Sequence, residues 1–424
     1  MQPSHRRGPH RGVHQSEGSG LNMTTSSVAT RTPRAGTAAN SSRPVRVIAF
    51  YLPQFHPIPE NDLWWGRGFT EWTNVVKARP LFRGHYQPHL PADLGFYDLR
   101  VPETRQAQAD LASQHGITGF CYYHYWFSGR RVLHRPFQEV LRSGRPDFPF
   151  CLCWANENWT RRWDGGKGEV LLAQQHSPED DRRHIEHLLP AFHDPRYIRI
   201  NGKPLFLVYR TDLLPNPAHT AEIWREAAQR AGLELYLARV ESHVANVDPS
   251  AIGFDAAVEF APDWRVLRHP PKWRWDDWDL KARVIHRLRR AGIVSSAYFT
   301  HEVYSYRELA DRMLSRAEPP YLRFRCVAPG WDNSPRRVVG ARILHGAHPD
   351  IYERWLRATL RRTHAIPDPE QRIVFVNAWN EWAEGAHLEP DQRWGLAFLQ
   401  ATYRAVSEAC ALALDDIRAA EARR

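Results

Sequence analysis

Val374-Phe-Val-Asn-Ala-Trp-Asn-Glu-Trp-Ala-Glu-Gly385 starts as an apolar run and ends in two carboxylates, Glu381 and Glu384, set among Trp379, Asn380 and Trp382. A short, continuous apolar run of this kind reads as a strand buried on both faces, as in a parallel sheet covered by helices. Seven similar runs precede it, at 47–51, 117–123, 148–154, 204–209, 233–240, 254–259 and 322–328, and the stretch itself supplies the eighth at 373–379. Helix-like segments fall between many of them. One spans 103–115 and is stopped by Gly116; a second spans 218–231 and is stopped by Gly232; a third spans 351–363. Apolar strands alternating with helices imply an α/β fold with a parallel sheet. Eight such units close most economically into a (β/α)8 TIM barrel. An open doubly wound sheet is the alternative, but no Gly-rich phosphate fingerprint follows the first run.

A closed barrel carries its active site at the C-terminal ends of the strands. The residues just past the runs are Gln54 and His56, His124 and Trp126, Asn156 to Trp159, and Arg210 and Asp212. Glu241 and His243, Glu259, Trp331-Asp332-Asn333, and Asn380, Glu381 and Glu384 complete the series. Polar and titratable groups gather at these ends, whereas the opposite ends hold turn material such as Asn201-Gly202-Lys203. Two long excursions, 52–101 and 260–320, leave the predicted active face and hold Trp64, Trp65, Trp72, Trp264, Trp273, Trp275 and Trp278. Long loops there shape specificity or close over substrate.

A spaced acid pair beside indole rings suits glycosidic chemistry. One carboxyl handles the leaving oxygen, another assists displacement, and flat apolar faces hold sugar rings. The 17 Trp among 424 residues exceed what core packing asks for and point the same way. Net charge is +10, but residues 1–45 hold six Arg against one acid, so half of the excess lies in the tail and a nucleic-acid partner is not expected. Residues 1–43 are rich in Ser, Gly, Thr and Arg and read as a disordered basic tail ahead of a single catalytic domain at 44–424. Five scattered cysteines suggest no disulfide framework. No apolar run reaches the roughly 20 residues of a membrane span, and none near the N-terminus matches a secretory signal, so a cytoplasmic location is expected. His56, His85, His89 and His124 fit no zinc spacing, and neither a metal nor another cofactor is expected.

Five segments in order resemble the WbsX family of bacterial surface-polysaccharide proteins. They are Phe50-Tyr-Leu-Pro-Gln-Phe-His56, Gly68-Phe-Thr-Glu-Trp-Thr-Asn74, Gly119-Phe-Cys-Tyr-Tyr-His-Tyr-Trp126, Trp154-Ala-Asn-Glu-Asn-Trp-Thr160 and Asn377-Ala-Trp-Asn-Glu-Trp-Ala-Glu-Gly385. That family is named for glycosyl transfer in O-antigen assembly and is similar to glycoside hydrolase family 99, whose members are (β/α)8 barrels acting on α-mannosides. The resemblance implies a retaining reaction. In it Glu381 is a base toward the sugar 2-hydroxyl, giving a 1,2-anhydro sugar, and Glu384 is the general acid/base at the leaving oxygen.

Gln54, His56, Trp72, His124, Trp126, Asn156, Glu157, Trp159, Glu259, Asn380 and Trp382 are the expected sugar contacts, with Trp382 as a stacking platform. The expected substrate is an oligo- or polysaccharide, with a lipid-linked or nucleotide-activated donor if the reaction is transfer. The only Asp-x-Asp is Asp277-Trp-Asp279, in a loop rather than at a strand end, which argues against an ordinary nucleotide-sugar site. A carbohydrate-binding barrel without chemistry is the remaining alternative.

Overall fold

All eight runs contain a strand: β1 (Arg46–Tyr51), β2 (Gly119–Phe127), β3 (Phe150–Trp154), β4 (Lys203–Val208), β5 (Tyr236–Val240), β6 (Ala256–Val258), β7 (Arg323–Val327) and β8 (Ile373–Val376). They pair in parallel in the order of the chain, and β1 closes the ring by pairing with both β2 (Ile48 opposite Gly119) and β8 (Arg46 opposite Ile373). The fold is therefore a (β/α)8 barrel. The structure is a computed structural model that describes residues 45–161, 169–267 and 297–421, with positions 284, 287, 288 and 291. The tail expected at 1–43, Trp273, Trp275, Trp278 and the Asp277-Trp-Asp279 triplet lie outside the described residues.

Seven helices cover the barrel among the described residues: α1 (Pro102–Gln114), α2 (Arg135–Ser143), α3 (Pro178–His193), α4 (Pro217–Arg230), α5 (Tyr306–Ser315), α6 (Pro349–His364) and α7 (Ala397–Glu421). Proline occupies the first turn of α1, α2, α3, α4 and α6, where its missing N–H costs nothing and its fixed φ suits a helix start. Ser177 and Asn216 cap α3 and α4 by accepting the amides of Asp180 and His219. Between β5 and β6 only a 3₁₀ turn, Pro249–Ile252, makes the crossover.

Side chains alternate between the lumen and the helix layer. Phe50 points inward and stacks between Tyr123 and Phe375 at 5.5 and 5.4 Å, forming the floor beneath the C-terminal mouth. Its neighbour Tyr51 points outward and donates its hydroxyl to Gln108 of α1 at 2.6 Å. Burial on both sides is the reason these strands read as unbroken apolar runs. All five cysteines are free thiols, four of them buried.

Candidate active site

Beyond β8 the chain makes a small hairpin. Asn380–Glu381 pairs antiparallel with Ala386–His387 around the turn Trp382–Glu384, and Gly385 closes the turn at φ +58°. A Cβ at Gly385 would stand 3.0 Å from the Asp332 amide, so glycine is required both by the left-handed backbone and by the close approach of the β7 loop. The Asn380 side chain ties the hairpin to the end of β1: its Oδ1 accepts from the Leu52 amide at 2.7 Å and its Nδ2 donates to the Leu52 carbonyl at 3.0 Å. The Asp332 amide donates to the Glu384 carbonyl at 2.6 Å. These bonds bring the loops after β1, β7 and β8 together at one point.

Arg336 occupies that point. Its guanidinium meets Glu381 at 2.7 Å, Glu384 at 2.8 Å through its other terminal nitrogen, and Glu71 at 2.9 and 3.1 Å. Three carboxylates thus share one buried cation. Burial, together with repulsion from Glu384 and Glu71, pushes Glu381 up to about 8 even though Arg336 opposes the shift. Burial also raises Glu384, against the pull of the same guanidinium. The three acids in turn hold Arg336 firmly charged despite its burial. Glu381 shares its guanidinium nitrogen with Glu71, whereas Glu384 meets the other terminal nitrogen and keeps 21% of its side chain exposed. Full burial beside two other acids favours the proton on Glu381.

The acid pair opens into a cavity of about 260 Å³ at the C-terminal mouth. Leu52 and Gln54 after β1, Tyr123 and Tyr125 of β2, Ala155 and Glu157 to Thr160 after β3, Tyr209 after β4 and Phe260 after β6 form most of its wall. Arg336 from the β7 loop and Asn377, Glu381 and Glu384 from the β8 end complete it, so every strand end but that of β5 contributes. The helix Pro59–Trp65 in the first excursion adds Asn61, Trp64 and Trp65. Trp159 meets Trp64 and Tyr125 edge-on at 5.9 and 5.4 Å. An aromatic-walled recess with two protonatable acids at one side can stack a sugar ring and exchange a proton with a bridging oxygen.

Of the expected sugar contacts, Gln54, Glu157 and Trp159 line this cavity with the acid pair, and the others do not. His124 and Trp126 face the helix layer, against His184 at 3.0 Å and Asp180 at 3.0 Å of α3; the adjacent Tyr123 and Tyr125 point inward instead. Asn156 clamps the backbone of Arg210 with two bonds, at 2.8 and 2.9 Å. Glu259 lies outside the cavity wall, bonded by Arg316 at 3.3 Å and by the Cys326 amide at 3.3 Å. His56 is buried, which lowers its imidazole to about 4. Asn380 holds the β1 end. Trp382, expected as a platform, is 1% exposed: it stacks on His387 at 3.8 Å, packs on Trp72 and donates to Glu389 at 2.6 Å. Trp72 is spent in the same packing and donates to the Tyr97 carbonyl. Trp379 likewise turns outward, onto Phe120.

Arg336, Glu71, Tyr123, Tyr125, Tyr209 and Phe260 were not selected from the sequence. Glu71 lies within the Gly68–Asn74 motif, and Arg336 follows Trp331-Asp332-Asn333 closely, so both carried a local signal. The two tyrosines of β2 were hidden by a one-residue ambiguity in phase.

A family model described as glycosyltransferase WbsX matches residues 47–402. Two proteins called uncharacterized protein WxcX, from Xanthomonas campestris pv. campestris strains B100 and ATCC 33913, are 46% and 47% identical over 374 and 367 residues. These matches cover 88% and 86% of this chain but 51% and 50% of the relatives, so the chain spans about half the length of the proteins it matches. Among solved structures, a GH99 endo-alpha-mannosidase from Bacteroides thetaiotaomicron superposes with a TM-score of 0.50 at 14% identity, covering 86% of this chain and 97% of that one. Its complex with bis-tris-propane gives 0.51 at 15% identity, with the same coverage. At such identity the likeness establishes a shared fold and nothing finer.

Proposed function

The chain belongs to the glycosyltransferase WbsX family, and from that premise we propose that it is a carbohydrate-active enzyme. It makes or cleaves an α-glycosidic bond of bacterial cell-surface polysaccharide, of the O-antigen and lipopolysaccharide kind. The observation that carries this reading is the pair Glu381 and Glu384 on one guanidinium at the wall of an aromatic cavity. A retaining reaction needs one carboxyl that can give a proton to the leaving oxygen and one that can assist displacement at the sugar. Two buried acids beside a single Arg, both shifted toward the protonated form, meet that need.

In the assignment that family kinship suggests, Glu381 takes the proton of the sugar 2-hydroxyl and Glu384 protonates the leaving oxygen. Glu381, raised to about 8, holds its proton near neutral pH, so productive binding must move it. A sugar that covers Glu384 strips water from the more exposed carboxyl and raises its proton affinity. Arg336 remains 2.7 Å from Glu381 to stabilise the anion left behind. Tyr123, Tyr125, Tyr209 and Trp159 exclude water and hold the ring. Whether water or a sugar hydroxyl completes the reaction separates hydrolysis from transfer.

The test is to incubate the purified protein with α-linked glycans, and with lipid-linked and nucleotide-activated sugars plus glycan acceptors, and to follow products by mass spectrometry. Sugar release or transfer that disappears in Glu384→Gln supports the proposal. Glycan binding with no product under any condition would leave a carbohydrate-binding barrel without chemistry.

A further inference from the structure

Behind the hairpin that carries the acid pair lies a second cavity, of about 350 Å³. His89, His387 and Asp391 meet at its wall, with one nitrogen or oxygen from each lying within 4.8 Å of the others. His387 and Asp391 are buried at 7% and 3% exposure, and His89 is half-buried. We propose that these three side chains form a binding site for a divalent transition-metal ion of the zinc class.

The hydrogen bonds turn the three ligand atoms toward one another. His387 Nδ1 faces the Glu389 carbonyl at 3.0 Å; a carbonyl only accepts, so the ring proton sits on Nδ1 and Nε2 presents a lone pair. That lone pair faces Asp391 Oδ2 at 3.9 Å, acceptor against acceptor. Asp391 Oδ1 is already engaged by the amides of Arg393 at 2.9 Å and Trp394 at 2.6 Å, which aims the second oxygen. His89 Nδ1 stands 2.8 Å from His387 Nε2, where without an ion a single proton must bridge two basic nitrogens.

Two His and one carboxylate at a cavity wall are the three-ligand set of a zinc ion with an open position. Ligand bonds of roughly 2.0–2.2 Å place ligand atoms about 3.0–3.5 Å apart, so binding spreads the His pair slightly and draws Asp391 inward. The Glu389 carbonyl orients His387 in the way outer-shell acceptors orient metal-bound imidazoles. His387 also stacks on Trp382 and closes the hairpin strand opposite Asn380, so an ion here would brace the backbone that presents Glu381 and Glu384. The site was not legible as a spacing because His89 and His387 are 298 residues apart.

The experiment uses the full chain, stripped with a chelator, desalted, loaded with zinc chloride and desalted again, with metal measured by plasma mass spectrometry and Tm measured with zinc or with EDTA. The comparison is with His89→Ala and Asp391→Asn, each checked for fold by near-UV circular dichroism. The expected result is about one zinc per wild-type chain and a higher Tm with zinc, with retention falling at least tenfold in both variants. Asp391→Asn keeps the oxygen that caps the turn, so its loss of zinc would not reflect unfolding. Wild-type protein that retains no zinc overturns the proposal. So do variants that retain as much as wild type, because the ion would then sit elsewhere among the 22 histidines.

Discussion

Glu381→Gln should make the protein more stable in mild alkali. The carboxyl titrates at about 8 in the folded chain against 4.5 in its ordinary state, because burial and two neighbouring acids outweigh Arg336. A raised folded value means that the folded state binds the proton more tightly. Its contribution is fully present below pH 4.5 and is lost as pH rises toward 8. A shift of about 3.5 units at 1.36 kcal/mol each sets the total near 5 kcal/mol. Linkage arithmetic puts about 2 kcal/mol of that loss below pH 6 and most of the rest, about 3 kcal/mol, between pH 6 and 9. Glutamine keeps the shape and cannot ionise, so the variant escapes the loss. Urea unfolding followed by tryptophan fluorescence at pH 6, 7.5 and 9 measures it; subtracting the two proteins cancels the titrations of groups remote from Glu381. The stability difference should grow in favour of the variant by about 2–3 kcal/mol from pH 6 to 9. A difference flat to within about 0.5 kcal/mol would show that Glu381 is not held protonated by its surroundings.

Four other perturbations separate chemistry from packing. Glu384→Gln should remove turnover while near-UV circular dichroism and glycan affinity stay close to wild type; substantial residual turnover would exclude Glu384 as the acid. Arg336→Met strands Glu71, Glu381 and Glu384 without their cation and should cost about 3–5 kcal/mol at pH 8, with part regained at pH 5 as the acids take up protons. A loss that does not depend on pH would contradict this origin. Trp382→Ala should cost about 3–5 kcal/mol in urea unfolding through a buried void and an unpaired Glu389. Trp159→Ala should instead leave stability nearly unchanged and weaken glycan binding by roughly 1–3 kcal/mol, read by calorimetry.

The difference between the two tryptophans shows how far pattern reading reaches. Both follow a strand end, both stand within two residues of a glutamate, and nothing in the chain order shows which faces the cavity. The structure turns Trp159 to the cavity and buries Trp382 beneath the hairpin, because Glu389 accepts the Trp382 indole proton and His387 covers its face. The helix expected at 103–115 forms at Pro102–Gln114, and that at 351–363 forms within Pro349–His364, since prolines and glycines mark their ends locally. The crossover from β5 to β6 uses only a 3₁₀ turn.

From the residues alone came the eight-stranded barrel, the polarity that gathers titratable groups at one end, and the placement of Glu381 and Glu384 at that end. Each of these follows from which residue types occur in which order along the chain. The fold alone decided that Tyr123 and Tyr125 face the lumen while His124 and Trp126 face α3. A strand apolar on both sides carries no contrast from which its phase can be read. It also brought Glu71 and Arg336, 265 positions apart, onto the acid pair. A contact between two loops is set by where the barrel ends carry them, and neither loop encodes the other.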